Sequence, residues 1–189
     1  MRIIGGTLKR RQLFFPKTPL TRPVTDRAKE TIFNVLGTMC ESARVLDLFA
    51  GSGSLGIEAL SRGAKEACFI DSAQICVLCM EHNLKTLNLA QKGIILKKPI
   101  LTAIEMLENQ DKKFNLIFLD PPHNKGLIKK VLHRLDQSDI VQLFGKIVIG
   151  HSNQEGLPKD LETLCQQRSI KIGQTFVSFL VKGDLKGNL

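Results

Sequence analysis

The sequence predicts an α/β fold: one mostly parallel sheet of about seven strands, the last antiparallel to the others, with helices on both faces. Three observations carry this. Short apolar runs alternate with stretches of helical period through the middle of the chain. A glycine-rich turn follows a strand-like run in "VLDLFAGSGSLGIEAL". Two β-rich runs then close the chain around Gly173-Gln174, a two-residue hairpin connection. No repeat or low-complexity tract competes with this pattern. At 189 residues the chain is long enough to bury one substantial core.

Residues 1–42 read as a basic arm ending in a helix. Ile3-Ile4 and the apolar run Leu13 to Phe15 can pair as a small hairpin, and Pro16, Pro19 and Pro23 interrupt regular structure. Thr25 caps a helix carrying Ala28, Ile32, Val35, Leu36 and Met39 on one face. Residues 43–182 form the α/β domain. Its strands are expected at 44–49, 67–71, 93–97, 115–119 and 146–150, with 168–173 and 175–182 as the final hairpin. Helices are expected at 54–61, 73–87, 101–109, 126–135 and 159–166, the first stopped by Gly63. The polar end "GDLKGNL", residues 183–189, reads as a frayed tail.

Lys and Arg outnumber Asp and Glu by 27 to 18, a net charge of +9, and a compact protein this basic attracts polyanions. Lys9, Arg10, Arg11, Lys17, Arg22, Arg27 and Lys29 concentrate in the arm, the densest basic region of the chain. Cys76 and Cys79 form a C-x-x-C with no second pair to complete a zinc set, so they read as buried thiols and no metal is expected. No apolar run suits a secretory leader or a membrane span, and the expected location is the cytoplasm.

Gly51, Gly53 and Gly56 have the G-x-G-x-x-G spacing, which lets a ligand approach the backbone closely. A dinucleotide cofactor would rest its pyrophosphate on the helix N-terminus. Asp47, four positions before Gly51, puts a carboxylate facing that ligand and repels phosphate. A donor with a sulfonium and an ammonium and no phosphate fits better, and S-adenosylmethionine is such a molecule. Asp71, ending the second strand, can accept hydrogen bonds from ribose hydroxyls, as acids there do for several nucleoside cofactors.

Asp120-Pro121-Pro122-His123 follows the fourth strand, whose carboxyl end should lie beside the glycine loop. Two prolines stiffen the loop, which suits in-line alignment of a nucleophile. The exocyclic amine of a nucleobase is a poor nucleophile, because its lone pair is delocalised into the ring. Asp120 and the carbonyl of Pro121 can accept its hydrogens as positive charge develops, while His123 stacks on the base. A carboxylate only accepts, which suits the adjacent N1–H and N2 amine of guanine better than adenine, although adenine-methylating enzymes with Asp here also exist.

With both sites placed, the chain resembles the class I S-adenosylmethionine-dependent methyltransferases and, within them, the RsmD family of 16S rRNA guanine-N2 methyltransferases. "RIIGGTLKRRQL", "TRPVTDRAKETIFNVL", "LDLFAGSGSLGIEALSRGA" and "LDPPH" carry the resemblance nearly end to end. It implies a Rossmann-like methyltransferase fold. It also implies S-adenosyl-L-methionine held by Asp47, Phe49, Ala50, Gly51, Ser52, Gly53, Asp71 and Ser72, with Asp120, Pro121, Pro122 and His123 addressing the base. Arg10, Arg11, Arg22 and Arg27 are the expected RNA contacts, mostly to phosphate. The implied partner is 16S rRNA in an assembling or assembled small ribosomal subunit, the implied target guanine 966, and the expected state a monomer. Three positions depart from the family pattern: His123 stands where Phe or Tyr is usual, Ala73 replaces the second acid after Asp71, and "LKKPILTAIEML" offers no acid or Asn for the adenine. An NAD-dependent oxidoreductase shares the glycines but explains neither Asp47 nor the DPPH turn. Methylation of adenine N6 or of a protein glutamine amide, and a non-catalytic RNA-binding assembly factor, are the other readings the residues allow.

Overall fold

The structure, a computed structural model, describes residues 1–15, 24–122 and 126–183. In chain order its elements are α1 (Asp26–Leu36), β1 (Arg44–Leu48), α2 (Ser54–Ser61), β2 (Glu66–Asp71), α3 (Gln74–Thr86) and β3 (Gly93–Lys97). They continue with α4 (Ile100–Asn109), β4 (Phe114–Leu119), α5 (Leu127–Asp136), β5 (Val141–Ser152), β6 (Leu164–Ile172) and β7 (Thr175–Lys182). The strands form one sheet in the order β3-β2-β1-β4-β5-β7-β6. β1 to β5 pair in parallel, and β7 runs antiparallel to both β5 and β6.

From β1 the chain winds outward to β3, then crosses back to β4 on the other side of β1. That reversal opens a crevice at the carboxyl ends of β1 and β4. Alternation along these central strands feeds two cores. Val45, Leu116 and Phe118 pack with Phe33, Ile57 and Met80 under α1, α2 and α3. Leu46, Leu48, Ile117 and Leu119 pack with Ile104 and Val131 under α4 and α5.

The arm is stitched onto the core. Ala28 N–H donates to Thr25 Oγ1 (3.2 Å), the expected cap of α1. Ile32 and Leu36 are buried as expected, with Phe33 beside them, while Val35 and Met39 are half-buried against the core. Lys29 belongs to this inner face rather than to the basic surface: it is 0% exposed, donates to the carbonyl of Arg2 and lies 3.7 Å from Glu58. Glu58, also fully buried, accepts the N–H of Ile4 (2.9 Å) and of Gly5 (2.8 Å) and pairs with Arg62 (3.0 Å). A buried charge set is tolerated only when paired and hydrogen-bonded in this way. Gly6, at φ +74°, presses on α2 so closely that a Cβ would sit 1.9 Å from the carbonyl oxygen of Ser61.

Three local expectations change. The arm forms a small antiparallel hairpin in a shifted register: Arg2 bridges Gln12, Ile3 N–H donates to the carbonyl of Arg11 and Leu13 N–H to that of Met1, so Leu13 to Phe15 do not lie opposite Ile3-Ile4. The positive φ values of Gly6 and Arg10 turn the chain early. β5 begins at Val141, five residues before its expected start, because an irregularity in its pairing with β4 interrupts the apolar pattern. No helix spans 159–166: Asp136 takes the N–H groups of Glu162, Thr163 and Leu164, all at 2.8 Å, and Leu164 then starts β6. A side-chain acceptor competes successfully with the helical ladder there. The hairpin at Gly173-Gln174 forms with Ile172 opposite Thr175. Pro16, Pro19, Pro23, Lys17 and the tail beyond Gly183 lie outside the described residues. Among the described residues no helix is long and apolar enough to cross a membrane.

Candidate active site

β1 hands the chain to a tight loop through Phe49, Ala50, Gly51, Ser52 and Gly53. Phe49, Gly51 and Gly53 all have positive φ, at +61°, +56° and +77°. The three glycines serve different needs. A Cβ on Gly51 would meet nothing within 4 Å, so its outer side is open to a ligand. Gly53 is the left-handed N-cap of α2. A Cβ on Gly56 would stand 2.4 Å from the Phe69 ring, so this glycine lets α2 close onto β2.

Three acids gather at the carboxyl ends of β1, β2 and β4. Asp47 is 2% exposed and lies beneath the loop rather than facing out of it, its Oδ2 accepting the N–H of Gly56 (2.9 Å). Burial pushes its carboxyl up to about 7, with smaller upward pushes from Asp120 and Asp71 and a downward one from the Gly56 bond. Asp71 is half-buried: Oδ2 accepts the N–H of Gly51 (2.9 Å) and Oδ1 that of Ala73 (2.9 Å). The Cys76 thiol also bonds this carboxylate, whose roughly four acceptor sites still leave capacity for a further donor. Ser72 is exposed beside it.

Asp120 follows Leu119, which pairs with Leu48 of β1, so it stands next to the start of the glycine loop. It is half-buried; Pro121 is buried and Pro122 exposed. Gly150 on β5 makes room for it, since a Cβ there would come within 2.3 Å of Asp120 Oδ1. His123 and Arg22 lie outside the described residues. Arg10, Arg11 and Arg27 are exposed, with Arg11 Nη2 resting on the carbonyl of Thr86 at 3.2 Å. Cys76 and Cys79 are buried thiols pushed up to about 12 and about 11 by desolvation, which leaves them unreactive. No group of three metal-ligating side chains occurs among the described residues.

Sequence reasoning missed Gly150, Glu58 and Asn83. Asn83 is the polar member of the buried face of α3, and it bonds both the arm and the glycine loop. Its interruption of an apolar stripe is the signal that marks it. Gly150 and Glu58 act on residues remote in sequence and leave no comparable local trace.

The doubly wound sheet with its reversed last strand, the glycine loop after β1 and the acids at three strand ends define a class I S-adenosylmethionine-dependent methyltransferase. Comparison with known proteins narrows the class. Residues 1–181 match the family model described as conserved hypothetical protein 95, and the chain belongs to that family, the RsmD family. It is 37% identical over 182 residues to YlbH of Bacillus subtilis strain 168, described as a candidate rRNA methyltransferase, covering 96% of this chain and 99% of that protein. It is 35% identical over 158 residues to ribosomal RNA small subunit methyltransferase D of Escherichia coli strain K12, covering 84% and 78%. The solved Escherichia coli protein yhhF, described as a candidate methyltransferase, has a TM-score of 0.86 at 31% identity and covers 97% of this chain and 98% of its own.

Proposed function

We propose that the protein methylates the exocyclic N2 amine of a guanine in 16S rRNA, at position 966, using S-adenosylmethionine, and that it acts as a monomer on the small ribosomal subunit. The observation that carries this reading is the placement of Asp120 on its proline turn directly beside the glycine loop, with Gly150 clearing space for its carboxylate. The residues fit the cofactor. Gly51 offers an open backbone edge, Asp71 has acceptor capacity left for the ribose, Phe49, Ala50, Ser52 and Gly53 make up the turn after β1, and Ser72 follows Asp71 at the end of β2. Asp47 supports the loop from beneath, its Oδ2 accepting the N–H of Gly56 on the helix that the glycines open.

When bound, the cofactor supplies a sulfonium-activated methyl group. Asp120 accepts the N2 and N1 hydrogens of the guanine, holds the amine in line and stabilises the positive charge that grows on it. It then receives the proton that N2 gives up. The carbonyl of Pro121 adds a second acceptor, and His123 is assigned to the face of the base. Arg10, Arg11, Arg22 and Arg27 hold phosphates, which fixes the register of the RNA without reading its sequence.

The test is to incubate the protein with labelled S-adenosylmethionine and small-subunit RNA from a strain lacking the enzyme, free and as the protein-covered particle, and to map the modified base. Label on guanine N2 is expected. Label on adenine N6 or on a protein would overturn the substrate assignment, and cofactor binding without transfer to any acceptor would indicate an assembly factor. Asp120→Ala should abolish transfer while binding S-adenosylhomocysteine as the wild type does; retained turnover removes Asp120 from the mechanism.

A further inference from the structure

Asn83 sits among Cys76, Cys79, Met80 and Leu84 on the inner face of α3, with 2% of its surface exposed. An amide buried there is costly unless its polar atoms are used. Oδ1 accepts the N–H of Phe14 (2.8 Å) and Nδ2 donates to the carbonyl of Phe14 (3.0 Å), the two bonds a neighbouring strand would make. The same Nδ2 donates to the carbonyl of Ser52 (3.0 Å), in the middle of the glycine loop. One side chain therefore holds the end of the arm and the turn of the cofactor site together. It does so through backbone groups, so the tie does not depend on which side chains stand at 14 and 52. Cys79 Sγ, 3.3 Å from the carbonyl of Phe14, reinforces the arm side. Glu58 and Ser61, on the helix that the glycine loop opens, hold Ile4, Gly5 and Leu8 further along the same arm.

We propose that Asn83 is a positioning residue that couples the arm to the glycine loop, so that RNA held on the arm tightens the loop around the methyl donor. The proposal rests on the functional reading above and adds a link between its two binding surfaces. The physical basis is shared ordering. RNA that immobilises the arm fixes Phe14, Phe14 fixes the Asn83 amide, and the amide fixes Ser52. Linkage makes the effect reciprocal: the donor must tighten RNA binding by the same factor.

Wild-type protein, Asn83→Ala and Val131→Ala are titrated calorimetrically with S-adenosylhomocysteine, alone and with saturating small-subunit rRNA transcribed in vitro. Val131, on the buried face of α5 on the far side of the sheet, gives a variant of lowered stability with the amide intact. RNA should tighten the ligand about fivefold in the wild type and in Val131→Ala. Asn83→Ala should bind the ligand about tenfold more weakly, and RNA should shift it less than twofold. In turnover assays its KM for the donor should rise while kcat at saturation stays within about threefold. Wild-type affinity in Asn83→Ala, an undiminished RNA shift in that variant, or no shift in the wild type would each overturn the coupling. A wild type that binds both partners and transfers methyl without any shift loses the coupling alone. A wild type that binds neither loses the functional reading as well. If the alanine variant does not fold, Asn83→Ser is titrated against the same expectations.

Discussion

Asp47→Asn tests how the acid beneath the glycine loop is held. The carboxyl moves from its ordinary 3.8 to about 7 because it is buried, while the Gly56 bond opposes the shift. Between those two values the unfolded chain carries the charge and the folded chain carries the proton, so raising the pH favours unfolding across that window. Each unit is worth ~1.4 kcal/mol, which makes the full window about 4 kcal/mol, of which roughly 2 kcal/mol falls between pH 5 and 7 because the folded group is half titrated at the upper end. Asn is nearly isosteric, keeps an acceptor for the Gly56 N–H and does not titrate. The assay is urea unfolding of both proteins from pH 5 to 8.5. Titrations elsewhere in the molecule largely cancel in the difference. The stability of the variant relative to the wild type should climb by roughly 2–3 kcal/mol on going from pH 5 to 7 and level off above pH 7.5. A difference that stays flat within about 0.5 kcal/mol would show that Asp47 is already ionised in the fold at pH 5, and the account of its burial would be wrong.

The remaining predictions concern the acceptor side. Gly150→Ala puts a methyl where Asp120 Oδ1 now stands, so the carboxylate must move; kcat should drop at least about tenfold while the Kd for S-adenosylhomocysteine stays within about twofold. Unchanged kcat in single-turnover assays would mean that the placement of Asp120 does not matter. Arg10→Ala with Arg11→Ala should weaken RNA binding at every salt concentration and lower the magnitude of the log Kd against log salt slope by about 1.4–1.8, as two lost phosphate contacts require. An unaltered slope would detach the arm from RNA.

Much of the parallel core is legible locally. In β1 and β4 buried residues run continuously because both faces are covered, and the glycine spacing and the Asp-Pro-Pro turn fall at the ends of those runs. These features depend on neighbours a few residues away, which a linear reading captures. The stretch 159–166 shows the opposite case. Its helical pattern is real, but Asp136, remote in the chain, claims three of its N–H groups and the segment becomes a turn leading into a strand. Lys29 reads as one more arm cation until Glu58 and the carbonyl of Arg2 close around it.

The sequence by itself determined the α/β class, the turn of the glycine loop and the stiff loop after β4, because backbone sterics and side-chain periodicity are short-range. Only the tertiary structure decided that Asp47 lies under the loop, that Gly150 yields space to Asp120, and that Asn83 joins the arm to Ser52. Those facts depend on which strands and helices lie side by side. The hydrogen bonds of Asn83 to Phe14 and Ser52 span 69 and 31 positions, and no local pattern of residues specifies a contact over that distance.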